Sequence, residues 1–364
     1  MSKINKNVVK DCIKKLDKVS DDTWEDIIRR YDLDLNPHEL RKRSYGMKAY
    51  EEVFEERDND ELIEIKKEKM QLQDLRTDVN RKIRQYARIE SLIDEIKQEC
   101  SEDYTFLDTD HIELFENGSE AILMISDMHY DGRQIIIDKF NKTIDYTINK
   151  CQFHKINKLI VFLGGDLINN EFRTTTRIEN RENVAEQLVN TARLVSEGIY
   201  KLSKNIPYVL VANVAGNHER SIDKYQEALS TDNYLCIMQE LIELRLKNLH
   251  NVVFLSNLEG DNRFCVLDFQ GKTYVLTHGD ALKTTSKNAV TTVEGYLGIK
   301  IDYLLVGHFH KVEQMYYASR IIVNGAINNN FDYSKKGLLN TPEYQRLLLL
   351  DNEGDVECIY DIKL

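Results

Sequence analysis

The sequence predicts a layered α/β domain preceded by an all-α region, and three observations carry that reading. The glycines are unevenly placed: residues 1–100 hold one, Gly46, together with one proline, Pro37, and the other 264 residues hold 15. Helix interiors disfavour glycine, whereas strand-and-turn folds use it where φ is positive. From about residue 119, short β-rich runs alternate with helical stretches. Finally, the runs end in polar or glycine residues, and in open α/β sheets the carboxyl edge of the strands is where ligands bind.

Taken in order, residues 1–60 form a helical module. Asp21, Asp22 or Thr23 is placed to cap a helix carrying Trp24, Ile27, Ile28 and Tyr31. A break around Asp34–Asn36 precedes a second helix, with Pro37 at its permitted first position and Arg41, Lys42, Arg43 and Lys48 along it. Two short helices, a tight turn and a basic second helix make a helix-turn-helix-like pattern, a candidate DNA contact. The same pattern also describes a hairpin with a solvated basic face. Residues 61–100 follow as a long amphipathic helix. Ile65, Leu72, Val79, Tyr86 and Ile93 recur every seven residues, with a looser second row of Leu62, Leu75, Ile83, Ile89 and Ile96. A coiled coil pairing two chains through residues 61–97 is one outcome. A helix lying on its own domain is the other, since Lys69 and Arg76 interrupt the second row.

Residues 101–364 make the α/β domain. Its expected strands are AILMISD, KLIVFLGGD, PYVLVANVAGNH, NVVFLS, RFCVLDF, KTYVLTHGD, YLLVGHFH and RIIVNGA, and LLLL near the end also reads as a buried strand. Helices are expected over 133–151, 179–204 and 224–249.

Composition narrows the function. With 61 acidic and 49 basic side chains the formal net charge is −12, which argues against coating nucleic acid by bulk electrostatics. Residues 1–100 hold 22 basic and 24 acidic groups (−2), so residues 101–364 hold 27 and 37 (−10). Part of that acidity suits bound cations. The six cysteines include no C-x-x-C pair, the start of the chain has no apolar signal region, and no apolar run approaches a membrane span. A cytosolic protein without a membrane partner is expected.

Five strand ends carry residues able to bind a hard or borderline metal. They are Asp127-Met128-His129, Gly165-Asp166, Gly216-Asn217-His218-Glu219, His278-Gly279-Asp280 and Gly307-His308-Phe309-His310. Five of the nine histidines fall in these segments. Imidazole and carboxylate without thiolate suits Mn, Fe or Zn, and the neighbouring glycines suit close backbone approach.

The order D-x-H, G-D, G-N-H-E, H-G, G-H-x-H resembles the signature of the calcineurin-like metallophosphoesterases, over roughly residues 119–330. The resemblance implies a four-layered β-sandwich flanked by helices and a two-metal site. Asp127, His129 and His310 would hold one divalent ion, and Asn217, His278 and His308 the other. Asp166 would bridge them, with a hydroxide between. His218 would act as general acid or electrostatic clamp, with Asn217 beside it in the catalytic pair. Manganese is the expected metal, with Fe, Zn or Ni as alternatives. The blocks are most similar to bacterial and phage phosphoesterases related to double-strand-break repair exonucleases. The tail, Asn324-Gly325-Ala326 with Phe331-Asp332-Tyr333 and Pro342-Glu343-Tyr344-Gln345, is similar to phage-encoded members.

The sequence departs from the family at Gly165-Asp166-Leu167-Ile168-Asn169-Asn170. Where many members have an acid that orients the catalytic histidine, this chain has Asn169, and Glu219 or Glu171 is a candidate substitute. Two segments after strand ends are candidate substrate contacts: residues 169–181, with Arg173, Arg177 and Arg181, and residues 281–298, with Lys283 and Lys287. Both also read as solvated loops. The expected function is a binuclear phosphodiesterase, with DNA as the substrate. The alternatives are a small-molecule phosphatase or cyclic-nucleotide phosphodiesterase, and a DNA-binding protein with a weakly active metal site.

Overall fold

The computed structural model describes residues 6–54, 67–77, 80, 105–172, 174–224, 228, 230–258, 260–282, 287–316, 319–329 and 342–364. Two compact units divide the chain, Met1–Gln85 and Tyr86–Leu364.

In the first unit, α1 (Lys6–Leu16), α2 (Trp24–Tyr31) and α3 (Pro37–Phe54) close around a small core of Val8, Cys12, Ile27 and Leu40, with Trp24, Ile28 and Tyr31 packed against it. Thr23 caps α2 in a capping box with Asp26, and Asp32 ends that helix in the left-handed conformation. Asn36 accepts the Glu39 amide at 2.8 Å and starts α3 at Pro37. Arg41, Lys42 and Arg43 are exposed on α3, where Arg43 pairs with Glu39, and Lys48 pairs with Asp17 beyond the end of α1. Helix α4 is described over residues 67–77, where Met70, Leu72 and Leu75 are exposed. The rest of the heptad rows lies outside the described residues.

The second unit is a four-layered α/β/β/α sandwich. One sheet has the order β11-β10-β1-β2-β3-β4 and the other β5-β6-β7-β9-β8. Strands β1 (Ser119–Ile125), β2 (Ile156–Leu163), β3 (Tyr208–Asn213) and β4 (Val252–Phe254) run parallel, and the hairpin β10 (Tyr344–Leu350) and β11 (Val356–Lys363) adds on antiparallel beside β1. In the second sheet β6 (Lys272–Thr277), β7 (Tyr303–Val306) and β9 (Arg320–Val323) are parallel, with β5 (Phe264–Phe269) and β8 (Glu313–Tyr316) antiparallel at the edges.

Strand periodicity builds the layers directly. On β1, Ala121, Leu123 and Ile125 face helices α5 (Gln134–Phe153), α7 (Val184–Ser203) and α8 (Leu235–Leu246), while Ile122 and Met124 face the other sheet. On β7, Tyr303 and Leu305 point between the sheets, and Leu304 and Val306 pack under α9 (Lys287–Leu297). Tyr274 and Tyr303 stack in the middle layer, ring centroids 4.5 Å apart, and their hydroxyls bond the β10–β11 turn at Gly354 and Asp355. Among the described residues no helix is long and apolar enough to cross a membrane.

Three expectations need correction. The helix expected over 224–249 is α8, Leu235–Leu246, and the described residues before it form bends and turns. Just before that stretch the Arg220 guanidinium bonds the carbonyls of Asn217, Ile222 and Asp223, and the Arg220 main chain bridges to Asn233 within it. The segments 169–181 and 281–298 are not simple loops, since α6 (Thr174–Glu179) and α9 occupy much of them. Strands β8 and β11 had no counterpart in the sequence reading, because their mixed polarity reflects edge positions with one wet face.

Leu305 is fully buried between the sheets. Leu305→Ala is expected to lower unfolding stability by about 2–5 kcal/mol, measured by denaturant titration with near-ultraviolet circular dichroism. A change below about 0.5 kcal/mol would contradict the packing described.

Candidate functional site

The carboxyl ends of β1, β2, β3, β6 and β7 meet on one rim of the sandwich. After β1 the chain places Asp127 and His129, after β2 Asp166, after β3 Asn217 and His218, after β6 His278, and after β7 His308 and His310. Five of these residues, Asp127, His129, Asp166, His308 and His310, adopt left-handed backbone with φ between 43° and 63°. A strand continuing straight would send alternate side chains to opposite faces. A left-handed residue after the strand turns consecutive side chains inward instead, at a cost that Asp, Asn and His bear best among non-glycine residues. Glycine supplies the space. A Cβ on Gly307 would lie 2.9 Å from Asp127 Oδ2, and one on Gly216 would collide with Asp166.

The rim residues form three overlapping groups whose ligand atoms lie within 4.8 Å of one another: Asp127, His129 and His310; His129, Asp166 and His218; and Asp166, His278 and His308. His310 Nε2 is 3.2 Å from Asp127 Oδ1 and 3.2 Å from His129 Nε2. His278 Nε2 is 3.2 Å from Asp166 Oδ2 and 3.3 Å from His308 Nδ1. The His278 ring donates from Nδ1 to the Gly164 carbonyl at 2.7 Å, and the His310 ring from Nδ1 to Asn329 Oδ1 at 2.9 Å. In the neutral form of each ring Nδ1 keeps its proton, so Nε2 is the nitrogen presented to the rim.

The electrostatics match such a cluster. Burial opposes ionisation of Asp166, but His278 and then His218 outweigh it and hold the carboxyl well below the carboxylate range. Asp127 behaves alike, with His310 overcoming its burial. Burial likewise opposes a charge on His278, yet Asp166 raises it well above an ordinary imidazole, and Asp127 raises His310 in the same way. Burial, then the His218 charge, lowers His129, and burial with the His278 charge lowers His308.

These donors fit divalent metal ions. Nitrogen and carboxylate atoms crowd together without thiolate, two ring nitrogens are held as acceptors, and Asn217 Oδ1 is buried without a hydrogen-bond partner among the described residues. Each group separately is an ordinary acid–imidazole cluster. Sharing Asp166 and His129, they form one continuous donor surface.

His218 stands over this surface. Its amide donates to Asp166 Oδ1 at 2.7 Å, and its ring lies edge-on to His129, with centroids 4.6 Å apart. Its Nδ1 is 2.6 Å from the main-chain carbonyl of Asn169. The carbonyl can only accept, so Nδ1 carries the proton and Nε2 is left for the reaction. The orienting group at position 169 is therefore main chain, and the Asn169 side chain turns away to donate to Asn180 at 2.8 Å. Asn170 closes the lock, its amide donating to the His218 carbonyl at 2.7 Å.

Glu219, one proposed substitute for the missing acid, is committed elsewhere. Glu219 is buried beneath the rim and accepts the amides of Asp166, Leu167 and Gly216 at 2.6–2.8 Å. Burial, and then the Asp166 charge, push it up to about 7. Glu171 lies 4.0 Å from Arg177.

Of the candidate substrate contacts, Arg177 is exposed on α6, and Lys287 opens α9. Arg173 and Lys283 lie outside the described residues. Arg220 was not anticipated. It stacks over Phe172 at 3.9 Å from the ring centroid, and Phe172 in turn faces His218 at 6.2 Å. With Arg263, Ser230, Asn233 and Asp280 it bounds a cavity of about 140 Å³ that opens beside Asn217. Sequence reasoning also missed the amides that hold the rim. Gln345 accepts the Ser126 amide and the Asn324 amide, both at 2.9 Å, and donates to the Gly325 carbonyl at 2.9 Å, all fully buried behind Asp127. The sequence singles out Asn324 and Gln345 within the family-like tail but gives them no role at the site.

A sandwich of two sheets whose strand ends converge on clustered acids and imidazoles is the framework of a metal-dependent phosphoesterase. The family model described as calcineurin-like phosphoesterase matches residues 121–312, more than half of the 364, and takes in all five ligand segments. The chain belongs to that family. Among solved structures it is similar to Vps29 of Entamoeba histolytica in complex with zinc (13% identity, 67% of this chain and 98% of that one, TM-score 0.35). It is also similar to vacuolar protein sorting 29 of Cryptosporidium parvum (14%, 68% and 100%, TM-score 0.35) and to a predicted phosphoesterase of Streptococcus pneumoniae (12%, 68% and 100%, TM-score 0.30). No curated protein matches the chain.

If His218 assists the leaving oxygen it does so from Nε2, because Nδ1 is committed to the Asn169 carbonyl. His218→Ala is expected to lower kcat by about 10²–10⁴-fold for alkyl leaving groups and much less for nitrophenyl esters, with metal content unchanged. Equal losses for both ester types would remove His218 from that role.

Proposed function

We propose that this chain is a binuclear phosphodiesterase that cleaves DNA. The observation that carries the proposal is the overlap of the three donor groups through Asp166 and His129, with His218 above them. In this reading Asp127, His129 and His310 would hold one divalent ion and Asn217, His278 and His308 the other, with Asp166 available to both. Manganese is the choice; the same nitrogen and oxygen donors accept iron, zinc or nickel. Two such ions lower the pKa of water and neutralise charge on the phosphoryl group in the transition state.

The chain's own residues do the rest. Asp127 and Asp166 supply the negative charge that brings cations to the rim. His278 and His310, fixed through Nδ1, keep their donor atoms aimed without rearrangement. His218 acts as the imidazolium, protonated at both nitrogens: it gives the Nε2 proton to the leaving oxygen and is left as the neutral ring whose Nδ1–H stays on the Asn169 carbonyl.

Two features support a diester over a monoester, and a strand over a small molecule. The cavity beside Asn217 offers room for a group beyond the scissile phosphate, and Arg220 and Arg263 are among its lining residues, the first bonded to main-chain carbonyls and the second paired with Asp261. In the separate helical unit, α2 and α3 form a hairpin, and Arg41 and Lys42 are exposed on its second helix. Arg43 and Lys48 are engaged in ion pairs and contribute less free positive charge.

The test is hydrolysis by the full chain of single- and double-stranded DNA, RNA, bis(p-nitrophenyl) phosphate, a cyclic nucleotide and a phosphomonoester. A chelator should abolish activity and Mn²⁺ restore it. Asp166→Ala and His308→Ala should each cost at least about 10³-fold, several kcal/mol of transition-state stabilisation. Arg220→Ala should weaken DNA cleavage more than cleavage of the small diester. Full activity in both Asp166→Ala and His308→Ala would sink the metal-site assignment. Turnover of the nucleotide or monoester without any DNA cleavage would sink the DNA assignment.

A further inference from the structure

The two halves of the rim are braced by different means. His278, in one group, is oriented by the Gly164 carbonyl at the end of β2. The other group, Asp127, His129 and His310, is gripped by a three-residue stretch that follows β9. The Ile327 amide donates to the Asp127 carbonyl at 3.1 Å, the Asn328 side chain to the His129 carbonyl at 3.3 Å, and Asn329 Oδ1 accepts the His310 ring proton at 2.9 Å. Asn329 is itself held, because its main-chain amide donates to Glu343 Oε1 at 3.1 Å. The other oxygen of Glu343 receives Lys139 from α5, and these two side chains are only 16% and 12% exposed. Residues 329 and 343 both fall beyond the 121–312 stretch that the family model matches.

We infer that Asn329, anchored by Glu343 and Lys139, is the positioning residue that keeps His310 Nε2 turned toward Asp127, and so sets the affinity of one metal position but not the other. The inference rests on the two-metal reading above. An imidazole whose Nδ1 proton has a fixed acceptor is held to one tautomer and one ring orientation. Without that acceptor the ring can rotate, and its proton can move to the nitrogen that has to bind. Loss of such an outer partner typically costs 10–100-fold in metal affinity. The Lys139–Glu343 pair is largely shielded from water, so it holds its geometry better than a surface pair would.

The experiment is a calorimetric Mn²⁺ titration of the metal-free full chain, with thermal melting of the same samples. The wild type should bind two ions. Asn329→Ala should weaken one of the two sites by about 10–100-fold, leaving the other site and the metal-free melting temperature unchanged. Asn329→Asp, whose carboxylate accepts the same ring proton, should restore the weakened site. Glu343→Gln keeps the side-chain shape and should give a smaller loss at that same site. Two unchanged sites in Asn329→Ala, parallel weakening of both, or no rescue by Asp would overturn the inference. Fewer than two ions in the wild type would overturn the two-metal reading and, with it, the inference. That failure shows before any variant is made.

Discussion

Beneath the rim, the carboxylate of Glu219 accepts main-chain amides from two strand ends at once, Asp166 and Leu167 after β2 and Gly216 after β3. These groups would otherwise be buried donors without acceptors, each costing about 1–3 kcal/mol. By collecting them, Glu219 fixes the spacing between two adjacent parallel strands at the point where they stop being a sheet. Asp166 turns upward from that knot, Asn217 and His218 rise beside it, and Gly216 leaves the room for Asp166 that any larger residue would take. The acid that follows His218 in the sequence is thus a structural fastener beneath the rim.

The same economy runs around the rim. Main-chain carbonyls orient His218 and His278, and side-chain amides from the segment after β9 and from β10 hold the parts around Asp127 and His310. Asp127 and Asp166 are the carboxylates within the donor groups themselves, where their charge can attract cations. Arg220 and Arg263 add positive charge to the wall of the cavity beside Asn217.

Much of this was legible in the sequence, and the exceptions are physically specific. The central strands are buried on both faces, so AILMI and LIVFL read as unbroken apolar runs, and the glycine count separated the helical region from the sheet domain. The five ligand segments stood out because aspartate and histidine at successive strand ends have no packing explanation. Edge strands β8 and β11 escaped, since a strand with one wet face looks like a loop in a single sequence. The role of Asn169 was misread because its contribution is a carbonyl, which every residue possesses. Asn329 and Gln345 went unnoticed as partners of the site because their contacts join residues far apart in the chain.

The main-chain lock on His218 has an evolutionary side. In relatives that use a carboxylate, the orienting group can be lost by a single change of residue. Here the acceptor survives any substitution at position 169 that keeps the path of the backbone, which makes the position permissive and lets its side chain serve the loop instead. What is given up is a negative charge next to the imidazole. The contact is a main-chain one, so a substitution at 169 that keeps the backbone path should leave the histidine's aim intact.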